Sequence, residues 1–185
     1  MMRPVLREIL PIILLAVVAV LVLHFILQNF RIEGSSMQPN LHTGQYVLVN
    51  KTAYWFGRDP SRGDVIVFHA PDQPKFDRIK RVIGLPGETI EVRRDGTVHI
   101  DGDQLDEPYL DSADPGNRFG TWTMPEGHYF VMGDNRLNSF DSRSVSDPLG
   151  IPRKNIVGKA WLIIWPIGNW GFAPNRSPTL LEATP

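Results

Sequence analysis

The apolar run near the N-terminus limits what this chain can fold into more than any other feature. Residues 9–27 carry no charged side chain, and only Pro11 and His24 interrupt their apolar character. In helical form, at about 1.5 Å per residue, the run nearly matches a hydrocarbon core of roughly 30 Å. It predicts a transmembrane helix over 9–27 preceded by a short segment, 1–8, and we expect His24 to reach the membrane interface near the end of the span.

A cleavable signal peptide is the alternative interpretation of this run. Such a peptide has a shorter apolar core, which is followed by a cleavage site with small residues. Here the run is followed by QNFRIE, residues 28–33, which contains no such pattern. The sequence therefore favours an anchor that stays attached.

The charges that flank the run predict its orientation. Arg3 and Arg7 precede it, whereas Arg31 stands alone on the far side until Lys51. Basic residues are enriched on the cytoplasmic side of membrane helices. We therefore expect a cytoplasmic N-terminus and an extracytoplasmic domain over 28–185.

Composition narrows what this domain can be. At 185 residues and 42% hydrophobic content, the chain is long enough for one buried core besides the anchor. Its 19 basic residues are balanced by 20 acidic ones without a long run of either, which argues against binding nucleic acid. The absence of cysteine excludes disulfides, thiol catalysis and thiolate metal sites.

Residues 28–185 have the pattern of a mainly β domain. Short alternating stretches are separated by Gly, Pro, Asn and Asp, and no helical period follows the anchor. We expect an antiparallel, partly open barrel or sandwich, with a polar excursion over 101–120 that carries little chemistry and a frayed tail over 176–185. The predicted strands are 45–49, 64–68, 79–83, 89–93, 97–100, 128–132 and 159–164.

An aromatic-rich segment lies near the C-terminus. Residues 160–167 are apolar but too few to span a bilayer, and we interpret them as a buried strand. The alternative is a surface that rests on lipid, because Trp165, Trp170 and Phe172 lie in a Pro/Gly-rich segment and tryptophan suits a membrane interface.

Several common catalytic motifs are missing. The chain has no His-Glu-x-x-His, Gly-x-Ser-x-Gly, Ser-x-x-Lys or P-loop motif, so zinc hydrolases, α/β-hydrolases and P-loop enzymes lose support. The segment that starts at Asp134 lacks the ligand and glycine positions of a calcium loop. We therefore expect no metal and no cofactor. The scattered histidines leave a Ser-His-Asp triad open only if it assembles in space.

Ser36 and Lys80 are the candidate catalytic residues. Ser36 lies in GSSMQPNL, residues 34–41, soon after the membrane exit, and Lys80 lies in DRIKRVIGLPG, residues 77–87. A serine hydroxyl attacks a peptide only if a base accepts its proton, and a desolvated, neutral lysine can be that base. The competing interpretations are a turn serine and a solvated strand lysine. A third segment, MGDNRLNSFDSR over 132–143, is dense in groups that can orient such a base.

These segments, in this order, closely resemble the type I signal (leader) peptidases, membrane-anchored serine proteases that remove signal peptides from exported preproteins. The resemblance includes the anchor and RGDVIVF over 62–68, and it covers nearly all of the chain. It implies the antiparallel β fold shared with LexA-type self-cleaving repressors. It also implies a bacterial-type cell membrane as the location and preproteins and membrane lipid as partners, and we expect a monomer.

The resemblance further implies a Ser-Lys dyad, with Ser36 as nucleophile and Lys80 as general base. The implied supporting residues are Ser139, which orients the lysine amine, Asp141 with Arg143 and Arg81 in an ion-pair network, and Asp134.

The sequence specifies the oxyanion hole and the substrate pockets less closely than the catalytic pair. Some members of the family carry a serine two positions before the nucleophile whose hydroxyl binds the oxyanion, but this chain has Gly34 there. The backbone N–H of Ser36 is then the expected donor. Family substrates present small residues, commonly Ala-x-Ala, which implies two shallow apolar pockets. The expected substrate-binding residues are Ile32, Gly34, Met37, Leu41 and Ile79.

Two other functions stay open from the residues alone. One is a LexA-like protease that cleaves only itself, although the chain has no DNA-binding helical domain. The other is a membrane-tethered β module that binds exported peptides without cutting them. Such a module predicts a solvated Lys80 beyond hydrogen-bond reach of Ser36.

Overall fold

The chain folds into one long helix followed by short strands. The computed structural model describes residues 2–71, 73, 75–115, 117–144 and 150–181, and their side chains from residue 9 onward. The elements in this part of the chain are α1 (Met2–Ile26), β1 (Leu27–Arg31), β2 (Tyr46–Asn50), β3 (Val65–His69), β4 (Asp77–Gly84), β5 (Thr89–Val92), β6 (Val98–Ile100), β7 (Asp103–Asp106), β8 (Gly120–Thr123), β9 (His128–Met132), β10 (Ile151–Pro152), β11 (Ile156–Trp165), β12 (Gly171–Phe172) and β13 (Thr179–Leu181).

The helix α1 contains the predicted apolar run. Ile9–Ile26 is long and apolar enough to cross a membrane, and none of this stretch is buried in the protein. An apolar helix that no core covers fits a lipid environment. The helix already begins at Met2, and it ends at Ile26 because Leu27 pairs with β2. Residue 1 and the side chains of residues 1–8 lie outside the described part.

The larger sheet has the order β1-β2-β11-β3-β4-β9-β10, with β12 paired to β11. All of its strand pairs are antiparallel. The seven strands predicted from the sequence correspond to β2, β3, β4, β5, β6, β9 and β11. The mainly β, antiparallel fold class is therefore confirmed.

A second sheet has the order β13-β7-β6-β5-β8. It contains β7 from the region expected to be a simple excursion, and β13 from the region expected to be a frayed tail. Thr179 pairs with Asp106, although all three side chains of β13 are exposed. The prediction of a frayed tail is wrong for β13, because backbone pairing holds this strand. Residues 182–185 lie outside the described part.

The strand β4 lies between β3 and β9, and apolar clusters pack around these strands. Along β3, Val65 and Val67 pack into one cluster, whereas Ile66 and Phe68 pack into another on the opposite face. A third cluster joins β4 and β9 to the second sheet. Lys80 lies opposite Ile66 in the β3–β4 register, so a central strand with neighbours on both sides supports it.

Most of the apolar segment 160–167 lies in β11, as predicted, but Trp165 within it and Trp170 and Phe172 beyond it are not buried. Trp165 is 53% exposed, Trp170 71% and Phe172 75%. The expectation of burial is wrong for Trp165, because the edge strand β12 covers β11 over only two residues, whereas the exposure of Trp170 and Phe172 agrees with the alternative interpretation of an exposed aromatic surface. An exposed aromatic surface remains.

Candidate active site

Ser36 and Lys80 meet in the folded chain. Ser36 lies in the turn between β1 and β2, and Lys80 lies in β4. Lys80 Nζ donates hydrogen bonds to Ser36 Oγ at 2.7 Å and to the Ile79 carbonyl oxygen at 2.8 Å. The lysine is only 4% exposed. A base must lie at this distance from the proton that it accepts.

Burial lowers the pKa of Lys80 from 10.5 to about 8, because an ammonium group loses its hydration when it leaves water. Asp141 and Asp134 act in the opposite direction, whereas Arg78 lowers the pKa further. The burial effect prevails. At this pKa a minority of Lys80, about a tenth at pH 7, is neutral and able to accept a proton, which is far more than at the ordinary pKa.

The backbone around Ser36 leaves one donor available. Gly34 has φ +88, a conformation that favours glycine, and open space surrounds the position where a Cβ would stand. The Ser36 N–H donates to no group among the described residues, whereas the Ser36 carbonyl accepts from the Asn135 N–H at 3.0 Å. The Ser36 N–H is thus free to bind an oxyanion, while Asn135 holds the carbonyl group of the same residue.

Gly133 lets the loop after β9 approach the serine. A Cβ at this position would overlap the Ser36 carbonyl oxygen and the Ser139 side chain. Ser139 Oγ is buried, but it makes no hydrogen bond of ordinary geometry in the described part of the chain. The implied hydrogen bond from Ser139 to Lys80 is therefore not formed here, although Ser139 packs beside the serine turn.

Asp141 braces the same loop. Arg143 donates to it through Nε at 2.9 Å and Nη2 at 2.8 Å. Burial raises the pKa of the Asp141 carboxyl, but Arg143, the nearby Ser139 hydroxyl and the Gly133 N–H lower it more. The pKa lies below its ordinary value, so Asp141 is ionised.

Arg81 does not join Asp141, as the resemblance implied, but pairs with Asp134. Arg81 is adjacent to Lys80 in β4, and alternation directs the two side chains to opposite faces. Its Nε and Nη2 donate to Asp134 at 2.8 and 2.6 Å, and its Nη1 donates to the carbonyl oxygens of Gly63 and Pro174. The two ion pairs are therefore separate.

The region 101–120 supports the site, contrary to expectation. Glu107 binds Arg136 of the loop after β9 at 2.5 and 2.9 Å. The Tyr109 ring lies 4.1 Å from the Arg81 guanidinium carbon, and Asn40 bridges the Tyr109 carbonyl and Asp134. A surplus of basic residues in the motifs is the signal that could have revealed this: segments 77–87 and 132–143 together contain four arginines and Lys80 but only three aspartates, so an acidic partner from another segment was to be expected.

A cavity of about 180 Å³ opens beside Ser36 and Lys80. Of the residues expected to bind substrate, Ile32 and Ile79 line it. Met37 and Leu41 do not, because they are 1% and 0% exposed and belong to the core. Gly34 is exposed nearby without lining the cavity. The residues that sequence reasoning missed are Phe30, Arg31, Glu33, Val67, Asp77 and Arg78.

Among the described residues, no histidine lines this cavity, which leaves Lys80 as the candidate base. A larger cavity of about 370 Å³ is lined by neither Ser36 nor Lys80. The described part of the chain contains no cluster of three or more His, Asp or Glu side chains that could hold a metal ion.

Known proteins resemble this chain over most of its length. Residues 5–165 match the family described as signal peptidase, peptidase S26. The signal peptidase I of Bacillus amyloliquefaciens is 41% identical over 84% of this chain and 82% of its own. That of Mycobacterium tuberculosis H37Rv is 35% identical over 95% of this chain and 78% of its own. A crystal structure of a signal peptidase I from Enterococcus faecalis is 38% identical, with a TM-score of 0.47 over 55% of this chain and 96% of that one.

Proposed function

The chain belongs to the signal peptidase family, peptidase S26, and we propose that it removes signal peptides from exported preproteins with Ser36 as nucleophile and Lys80 as general base. One observation carries this assignment: Lys80 Nζ lies 2.7 Å from Ser36 Oγ, in a lysine that is 4% exposed. A module that only binds peptides needs no buried lysine beside a serine. This arrangement therefore supports the enzyme against the binding module.

In the proposed reaction, Lys80 acts as a base in both acylation and deacylation, and it returns the proton each time. The neutral amine accepts the Ser36 proton while Oγ attacks the scissile carbonyl, and the Ser36 N–H stabilises the oxyanion. The resulting ammonium donates its proton to the leaving amine as the C–N bond breaks. The neutral amine then accepts a proton from the water that attacks the acyl-enzyme carbonyl, and it returns this proton to Oγ as the ester bond breaks, which regenerates Ser36.

The small apolar cavity supports cleavage after small residues. Its apolar walls include Ile32 and Val67, which are also packed in the core and have no room to retreat. A large side chain before the scissile bond would therefore overpack the cavity.

A preprotein with Ala at the positions one and three before the cut should be cleaved by the purified full-length chain in detergent. Replacing the Ala before the cut by Phe should lower kcat/KM by about 5- to 150-fold, since overpacking costs about 1–3 kcal/mol. The same replacement one position earlier is the control, because alternation in an extended peptide points that side chain away. Equal cleavage of the parent preprotein and of both Phe-substituted preproteins would contradict the pocket. Self-cleavage with the preprotein left intact would contradict the proposed function.

Aromatic residues support membrane contact by the catalytic domain. Because Leu27 pairs with Asn50, the loop after β2 lies beside the end of α1. In this loop the Trp55 ring packs edge-on against Phe25 at 5.8 Å, and Phe56 is 94% exposed. We propose that this loop and the exposed Trp surface near β12 both contact the membrane interface.

The flanking arginines support a cytoplasmic N-terminus. Since the chain has no cysteine, single-cysteine variants can test this with a membrane-impermeant thiol reagent. In bacterial spheroplasts, Gln104→Cys, at an exposed position of β7, should react at once, whereas Met2→Cys should react only after permeabilisation. The opposite pattern would reverse the orientation, and immediate labelling of both would contradict a membrane-spanning α1.

A further inference from the structure

A cavity of about 740 Å³ lies at the junction between α1 and the first two strands, outside the site of the proposed reaction. This volume is in the range of ligand-binding sites, roughly 300–1,000 Å³. On one side Val20, Leu23 and His24 line it from α1, and their spacing of three and four positions places them on one face of the helix. On the other side, Leu48 of β2 and Lys51 directly after β2 line it. The cavity is therefore a cleft between α1 and the β domain.

The cleft changes from apolar to polar along the axis of α1. Val20 and Leu23 belong to Ile9–Ile26, the stretch that is long and apolar enough to cross a membrane. Val20 precedes the last residue of α1 by six positions, which is about 9 Å along a helix axis. Asn29 and Lys51, which come after this stretch, line the part of the cleft beyond the end of the helix. In a membrane the first part is at the depth of the hydrocarbon, and the second is at the depth of the lipid headgroups.

Lys51 brings a positive charge to the polar part of the cleft. Its backbone N–H donates to the Ile26 carbonyl oxygen at 2.9 Å, which fixes the residue beside the end of α1. Its Nζ lies 5.6 Å from the centroid of the Phe25 ring, and it has no carboxylate partner in the described part of the chain. No acidic residue within that part lines the cleft. Because an aromatic ring does not neutralise an ammonium group, the charge is available to an anion.

We propose that this cleft binds one anionic phospholipid of the membrane that α1 crosses, with its phosphate at Lys51 and an acyl chain along Val20 and Leu23. The Lys51 ammonium and the side-chain amide of Asn29 supply donors that a phosphate accepts, and the apolar face of α1 supplies a surface that an acyl chain covers. A free phosphate leaves this face uncovered. A choline headgroup places a second ammonium beside Lys51, where no acidic residue lines the cleft in the described part of the chain. A phospholipid with a net negative headgroup fits both parts.

The test counts the lipids that stay bound when the purified full-length chain is released from detergent micelles in a native mass spectrometer. The micelles contain phosphatidylglycerol and phosphatidylcholine in equal amounts. The wild type should retain one phosphatidylglycerol in preference to phosphatidylcholine. Lys51→Gln should need about fivefold more phosphatidylglycerol for half occupancy, which is the contribution of one basic residue near anionic lipid. Lys51→Arg keeps the charge and should bind as the wild type does.

Lys154→Gln is the matched control, because it removes the same charge from an exposed position before β11. It should leave the retention of phosphatidylglycerol unchanged. Asn29→Asp is almost isosteric but adds a carboxylate to the cleft, so it should lower this retention while Lys51 is kept. Leu48→Trp narrows the cleft from the side of the sheet without altering α1, and it should also lower retention.

Equal retention of the two lipids by the wild type overturns the proposal, and so does an equal effect of Lys51→Gln and Lys154→Gln. Displacement of the lipid by excess inorganic phosphate, but not by chloride at the same ionic strength, would mean that the cleft is an anion site in which the acyl chain has no part. That result also overturns the proposal. Because no cleavage is measured, these outcomes do not depend on the proposed function.

Discussion

Ser36→Ala and Lys80→Met should each lower kcat/KM for preprotein cleavage by on the order of 10⁴-fold or more, because a nucleophile and its base act as one unit. The first variant removes the oxygen that attacks the carbonyl. The second keeps a long apolar side chain in the buried position but removes the nitrogen that lies 2.7 Å from Ser36 Oγ. Combining the two changes should lower activity hardly further, since either one already disables the unit. Cleavage assays on the three purified variants measure this directly.

Lys80→Met carries its own control for folding. The Lys80 pKa is about 8 in the folded protein against an ordinary 10.5, so the unfolded chain binds more protons between these values and stability rises with pH across that window. Below pH of about 8 the folded protein bears the free-energy cost of a buried ammonium. Above pH 10.5 this cost is gone, because the amine is neutral in the folded and the unfolded chain alike. The Tm of the wild type should therefore rise relative to that of Lys80→Met across this range. A parallel pH dependence of the two Tm values would show that Lys80 is not buried as described, and near-normal cleavage by either single variant would reject the dyad.

Periodicity predicted the large elements because their side chains are sorted by burial. Val65 to Phe68 alternate between two clusters, and such a pattern is visible in the sequence. The second sheet was harder to predict. In β7 only Leu105 is buried, and no side chain of β13 is buried, so backbone pairing holds these strands without an apolar signal.

Sequence reasoning found the candidate site residues whose type the proposed chemistry requires. It failed for residues whose place depends on the direction in which the side chain points. The order of the motifs pointed to Ser36 and Lys80, but closeness to the serine along the chain did not distinguish cavity walls from core. Met37 and Leu41 follow the serine turn and point inward, whereas Phe30 reaches the cavity from β1. Strand alternation likewise directs Arg81 away from the face of its neighbour.

The pairing of Arg81 with Asp134 is expected to be the most stability-sensitive contact near the site. Both side chains are essentially unexposed, and the pair links β4, the loop after β9 and the carbonyl oxygens of Gly63 and Pro174. Removing one partner leaves a buried charge without its counter-ion, which typically costs about 3–5 kcal/mol. Arg81→Met should therefore lower Tm sharply in detergent and reduce cleavage, because its strand neighbour is Lys80.

The double variant Arg81→Met/Asp134→Leu separates the charge from the packing. If the loss in Arg81→Met comes from the abandoned carboxylate, removing that carboxylate as well should recover much of the stability, since apolar replacements of a buried pair are often tolerated. Arg93→Met is the matched control, because Arg93 pairs with Glu91 on the exposed surface of the second sheet and its loss should leave Tm unchanged. A double variant as unstable as Arg81→Met would instead mean that the hydrogen bonds from Arg81 to Gly63 and Pro174, rather than charge compensation, hold β4 in place. Cleavage by the rescued double variant then decides whether the ion pair also positions Lys80. Full activity would show that β4 needs only apolar side chains in place of the buried pair. Persistent inactivity would show that the geometry of the ion pair itself sets the distance from Lys80 Nζ to Ser36.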